Sequence, residues 1–114
     1  SMDLQILSEL KNFDSMSEGK RIAVQSNIGP LFQREKLQWY LQKEGQPCGM
    51  VSHIYYIRSI PVEYVVLVPQ LGHYGISDMN LCLKDLSMDS QVRKVAGFDH
   101  LVVYKRINNI KPTN

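Results

Sequence analysis

No residue type is abundant or clustered enough in this 114-residue chain to declare its chemistry outright. Two cysteines, Cys48 and Cys82, are too few for a disulfide framework or a tetrahedral zinc site. Both fall inside apolar periodic segments, and the expectation is two buried, reduced thiols in a cytoplasmic protein. No apolar run approaches the roughly 18 residues that a membrane-crossing helix needs. The opening stretch SMDLQILSEL is acidic where an export signal would be basic, which again predicts a cytoplasmic location. Three histidines, His53, His73 and His100, lack metal-ligand spacing, so no metal site is expected. Internal repeats and low-complexity tracts are missing too. A formal charge of +2 does not mark a nucleic-acid binder. The basic excess is confined to residues 91–114, where Arg93, Lys94, Lys105, Arg106 and Lys111 face Asp99 alone, and it reads as a solvated face.

What is present is the composition of an ordinary globular chain, 44% apolar and 21% charged. The length suits a single domain over 1–114, ending in a polar tail at 107–114. Leu4, Leu7, Leu10 and Phe13 fall near the spacing of one helix face, with Asp3 at the positive end of the helix dipole. RIAVQSN predicts a short strand and IGPLFQREK one or two helical turns. LQWYLQ (37–42) and CGMVSHIYYI (48–57), split by Gly45 and Pro47, predict a β-hairpin. VEYVVLVP (62–69) has no polar alternation after Glu63 and suits a central strand covered on both faces. Ile76, Met79, Leu83 and Leu86 predict a helix over 75–87, and QVRKVAGF and HLVVYKRI two closing strands. The result is an α+β domain of α/β/α-like character, a mixed sheet with helices packed on it.

VLVPQLGHYGISDMNLCLKDL, a strand ending in Val-x-Pro followed by a glycine-bearing turn and a helix, resembles the central motif of the acyl-CoA N-acyltransferase superfold. SNIGPLFQREKLQWYLQKEGQPCGMVSHIYY is similar to a segment of the bacterial toxin-activating lysine acyltransferases, through Asn27, Pro30, Gln33 and the turn at Gly45–Pro47. The resemblance implies an acetyltransferase-like fold and transfer of an acyl group from a thioester donor, acyl-CoA or acyl carrier protein, to an amine. No tightly bound cofactor is expected beyond that co-substrate. It further implies that backbone N–H groups of Gly72, His73, Tyr74, Gly75, Ile76 and Ser77 cradle the donor's phosphate at a helix start. The family's pattern is not complete here. Gly72 replaces a basic or amide residue, Ser77 replaces Gly or Ala, Met16 stands at the catalytic His position, and Val66 stands at the strand Asp.

With those two positions empty, candidate catalytic residues must come from elsewhere. Asn27 could orient a carbonyl or cap a helix. His53 could act as a relocated base, since its ordinary pKa of about 6.5 suits proton transfer, or could simply point to solvent. Glu63 could be a carboxylate base or an exposed strand end. Tyr104 could serve as a general acid or as plain strand alternation. Trp39, Tyr40, Tyr55 and Tyr56 alternate on the hairpin, so one of each pair is exposed or covered by a partner, and the 37–57 hairpin becomes a candidate surface for a protein partner or self-association. Three readings follow: an acyltransferase, a catalytically degenerate binding or regulatory module of the same fold, and an unrelated α+β sensor domain.

Overall fold

A computed structural model describes residues 3–24, 28, 31–32, 37–39, 63–71 and 78–107. Helix α1 spans Leu4–Met16, and Asp3 caps it by accepting the Gln5 N–H at 2.7 Å. Its buried face is Ile6, Leu10 and Phe13, whereas Leu4 is 80% exposed. The expected face of Leu4, Leu7, Leu10 and Phe13 steps by three throughout, and each such step drifts about 60° around a helix. Steps of four and then three keep Ile6, Leu10 and Phe13 in one stripe instead. The helix ends where the Ser17 N–H and Oγ–H both donate to the Phe13 carbonyl. Gly19, at a φ of 76°, then turns the chain toward the sheet.

Among the described residues, five strands form one mixed sheet in the order β2-β1-β3-β5-β4. They are β1 (Ile22–Val24), β2 (Leu37–Trp39), β3 (Tyr64–Leu67), β4 (Val92–Lys94) and β5 (Val102–Arg106). Strand β1 pairs in parallel with β2 (Ile22 opposite Leu37) and with β3 (Ile22 opposite Tyr64). Strand β5 runs antiparallel to both β3 and β4, with Val65 and Lys94 each facing Tyr104. Strands β3 and β4 therefore point the same way with β5 between them. They are joined through helix α2 (Met79–Met88), a split βαβ unit. As expected, β3 is central, and all four of its residues are buried. The predicted hairpin lies mostly outside the described residues. The one part described, β2, has the parallel strand β1 as its neighbour.

Alternation along the strands divides the core in two. Ile22, Val24, Tyr64, Val66 and Val103 face Ile6, Leu10 and Phe13 of α1, together with Ile28 and Phe32. Ala23, Val65, Leu67, Val92 and Tyr104 face Met79, Cys82 and Leu86 of α2. Both faces of the sheet are thus covered, and this is why β3 can be apolar without interruption. Phe13 is the hub of the first core. Its ring makes edge-on contacts with Phe32, Tyr64 and Phe98 at centroid distances of 6.0, 5.7 and 6.4 Å.

Helix α2 starts at Met79 rather than at 75 because Asp78 adopts an extended conformation and caps it, accepting the Leu81 N–H at 3.1 Å. Leu83, expected on the core face, is partly buried, and Cys82 takes the fully buried position. Cys82 is disulfide-bonded, which corrects the expectation of a reduced thiol while its burial stands. On the outer strand β4, Val92 is buried but Arg93 and Lys94 are exposed, so charge lines this edge of the sheet. No helix among the described residues is long and apolar enough to cross a membrane.

Candidate functional site at the carboxyl edge of the sheet

Because β1 and β3 are parallel and in register, with Val24 opposite Val66, both leave the sheet at one edge. From there the chain goes to opposite sides. The segment after β1 supplies Ile28 and Phe32 to the core beneath α1, while β3 leads to α2 on the other face. Chain order and sheet order reverse around β1, since β2 lies on one flank and β3 on the other. This is a topological switch point, the place in open α/β sheets where diverging connections leave a crevice outside the carboxyl ends of the strands.

Two described segments border this edge. Val68 leads into a single 3-10 turn, Pro69–Leu71, closed by the Leu71 N–H on the Val68 carbonyl at 3.0 Å. The β4–β5 connection arrives at the same edge because β5 begins opposite Leu67, with Val102 as its partner. That connection turns at Gly97, whose φ of 104° suits glycine, and Val95 rejoins the ladder through the Val103 carbonyl at 2.8 Å.

A single carboxylate holds the connection in place. Glu9 Oε1, from α1, accepts the backbone N–H groups of Asp99 at 2.7 Å, His100 at 2.9 Å and Leu101 at 3.4 Å. Its other oxygen pairs with the His100 Nδ1. Partial burial pushes the Glu9 carboxyl up, but the hydrogen bonds from His100, Leu101 and Asp99 outweigh it and leave the pKa below the ordinary 4.5. The same pair raises His100 above 6.5, chiefly through the hydrogen bond to Glu9, against a smaller opposing desolvation and with help from the charges of Glu9, Asp3 and Asp99. The ionised Glu9 holds a proton on Nδ1 in either form of the ring, so Nε2 accepts when the imidazole is neutral and donates when it is protonated, the form that the raised pKa favours. Such a ring can receive a hydroxyl proton or share one with a ligand.

The candidates read from sequence do not assemble here. Asn27, His53 and the Gly72–Ser77 turn lie outside the described residues. Glu63 sits at the amino end of β3, the opposite end from the switch point, and pairs with Lys20 at 3.7 Å in an exposed contact. Tyr104 is buried in the α2 core, and burial pushes its phenol above 10.0, so it stays protonated among apolar neighbours. Among the described residues no group of three or more His, Cys, Asp or Glu could hold a metal ion. The Glu9–His100 pair was not visible in the sequence. Its partners lie 91 residues apart, and His100 has no local motif to mark it.

No protein-family model matches this chain, and no curated protein matches it by sequence. Its fold is similar to that of the C-terminal globular domain of an oligosaccharyltransferase, AfAglB-S2, from the archaeon Archaeoglobus fulgidus. The TM-score is 0.60 at 10% identity, over 94% of this chain and 99% of that one. This corrects the acetyltransferase-like assignment and the likeness to bacterial toxin-activating acyltransferases. The function drawn from them, acyl transfer or a degenerate module of that fold, falls with them. The motif that suggested it, an apolar strand, a glycine turn and a helix, is a general β-turn-α connection that many mixed sheets share. A thioester donor loses its support along with that motif.

Proposed function

We propose that this chain is a globular domain serving the transfer of oligosaccharide, and that it contributes recognition of a glycan or its acceptor at the carboxyl edge of the sheet. The end-to-end correspondence in fold with an oligosaccharyltransferase domain carries this reading. The correspondence covers nearly all of both chains, so it concerns the whole architecture and not a shared βαβ fragment. The switch point between β1 and β3 is the position at which open α/β sheets commonly take ligands. His100, oriented by Glu9, supplies a ring nitrogen that can hydrogen-bond a sugar hydroxyl as donor or acceptor.

The test is an amide chemical-shift titration of the isotopically labelled chain, first with water-soluble oligosaccharides and then with acceptor peptides. Saturable shifts are expected at Leu71, Asp99, His100 and Leu101, with His100→Ala weakening binding while the spectrum stays folded. Silence at those amides with both ligand classes, or shifts confined to the Arg93–Lys94 edge, would overturn the reading.

A further inference from the structure

We infer that the outer edge of β4 is a docking strip for an extended, acidic peptide segment of another protein, which adds to the sheet as one more strand. Among the described residues β4 has one neighbour, β5, and its other edge is open. The register shows which backbone groups that edge presents. Ile107 donates to the Gln91 carbonyl at 2.9 Å and Val95 to the Val103 carbonyl at 2.8 Å, so Gln91, Arg93 and Val95 turn their peptide groups toward β5. Val92 and Lys94, between them, turn theirs away. The Val92 N–H is taken by the Asp89 carbonyl at 3.4 Å. The edge therefore presents the Val92 carbonyl and both backbone groups of Lys94. The Lys94 groups are one half of a closely spaced bonded pair, which a residue of an added strand completes.

Charge decides what kind of strand fits. Alternation puts Arg93 on the α1 face, directly opposite Lys105, and Lys94 on the α2 face with Val92 and Tyr104. Arg93 and Lys94 are exposed, and among the described residues neither has an ion-pair partner. Like charges directly opposite each other on two strands destabilise the pairing, and Arg93 and Lys105 stand in that relationship. Lys105 lies over the Tyr64 ring, 5.8 Å from its centroid, and Arg93 is left as the outer charge. A carboxylate on an added strand beside Arg93 offsets the repulsion, and a second one on the next residue meets Lys94 on the opposite face. The segment that fits therefore carries two consecutive acidic residues. The same cations exclude a second copy of this chain, since pairing β4 with β4 sets Arg93 and Lys94 against their own kind. Nucleic acids and anionic membranes answer the charges but have no strand backbone to bond to Lys94. This inference stands apart from the glycan reading. It rests on the β4 edge and is read from the β4 amides, not from Leu71 or Asp99 to Leu101.

The test begins with amide exchange on the full labelled chain. The Lys94 N–H is expected to exchange at least about tenfold faster than the Arg93 N–H, which is bonded to β5. The chain is then titrated with the end-capped peptide Thr-Val-Glu-Glu-Val-Thr. Saturable shifts are expected at Arg93, Lys94 and Val95, with the Lys94 amide slowed in the complex. Methylating the backbone nitrogens of the two glutamates should weaken binding by about tenfold or more. Lys94→Pro should do the same, because it removes an outward donor and leaves the bonds to β5 in place. Replacing both glutamates by glutamine should weaken binding and remove its salt dependence. The methylated peptide is tested on the unaltered chain, so the result does not depend on a variant folding. A Lys94 amide already protected in the free chain would show the edge covered and would overturn the inference. So would silence of the β4 amides, binding indifferent to methylation, or equal shifts at Lys94 from a single-stranded oligonucleotide or phosphatidylserine vesicles.

Discussion

Glu9 and His100 join the first helix to the last hairpin across 91 residues, carboxylate to imidazole, with three backbone N–H groups converging on the same carboxylate. Glu9→Gln keeps the shape but replaces a charged acceptor by a neutral one, which weakens all of those bonds together. The midpoint of thermal unfolding is expected to fall, and amide exchange at Asp99 to Leu101 to quicken while the amides of β3 stay protected. Uniform loss of protection across β3 would show instead that the pair is part of the global fold barrier.

The pair also gives stability a pH window. Glu9 is depressed, so its contribution is present above its unfolded value near 4.5 and is lost as pH falls through the lower folded value. His100 is raised, so its contribution is complete below about 6.5 and is lost as pH rises through the higher folded value. The joint contribution is therefore greatest between those two ordinary values. Unfolding midpoints measured from pH 4 to 9 should show this maximum, and His100→Gln should flatten its alkaline side. A His100 ring resonance titrating below 6.5 would contradict the assignment.

Phe13 touches three aromatic rings and has no exposed surface. Phe13→Ala is expected to cost about 3–5 kcal/mol in denaturant unfolding, because the cavity lies where α1, β3 and the β4–β5 connection meet. Phe13→Leu should recover a large part of that loss.

On the other face, Leu86 is the fully buried leucine of α2. Leu86→Ala should cost about 2–5 kcal/mol, and Leu81→Ala, on the exposed side of the same helix, less than about 0.5 kcal/mol. Equal costs would mean that α2 does not present this face to the sheet.

Gly97→Ala separates conformational strain from crowding. An added Cβ there would meet nothing within 4 Å, yet φ is +104°. The expected loss is about 1–3 kcal/mol, arising entirely from the backbone. A crystal structure of the variant should show either that strain retained or the turn rearranged.

Much of this architecture could be read from the chain. The run from Tyr64 to Leu67 announces a doubly covered strand because every residue in it is apolar, and it is the middle strand of the sheet. The closing strands and the helix before them were legible from period alone. Strand pairing was not. LQWYLQ carries the same β-forming residues whether it pairs antiparallel within a hairpin or, as Leu37–Trp39 does, in parallel with Ile22–Val24. Partner choice is a property of the whole sheet, and the turn signal at Gly45–Pro47 carries no trace of the parallel pairing between Leu37–Trp39 and β1. The site was illegible for a related reason. Glu9 reads as one more charged helix residue, and only the arrival of residues 99–101 gives its carboxylate a role.

Strand β5 occupies the slot between β3 and β4, although it is the last of the three to be synthesised. A nascent chain that has emerged only as far as Lys94 holds β4 without β5, the neighbour it has among the described residues. The Asp99–Leu101 amides that Glu9 gathers are also still missing at that stage. The domain therefore cannot be completed in the order in which it is translated. Its amino-terminal half must wait, with the β3 edge open, until the final strand inserts. Stalling synthesis just before Val102 should leave a species that chaperones capture, and release of a few further residues should close the sheet in a single step.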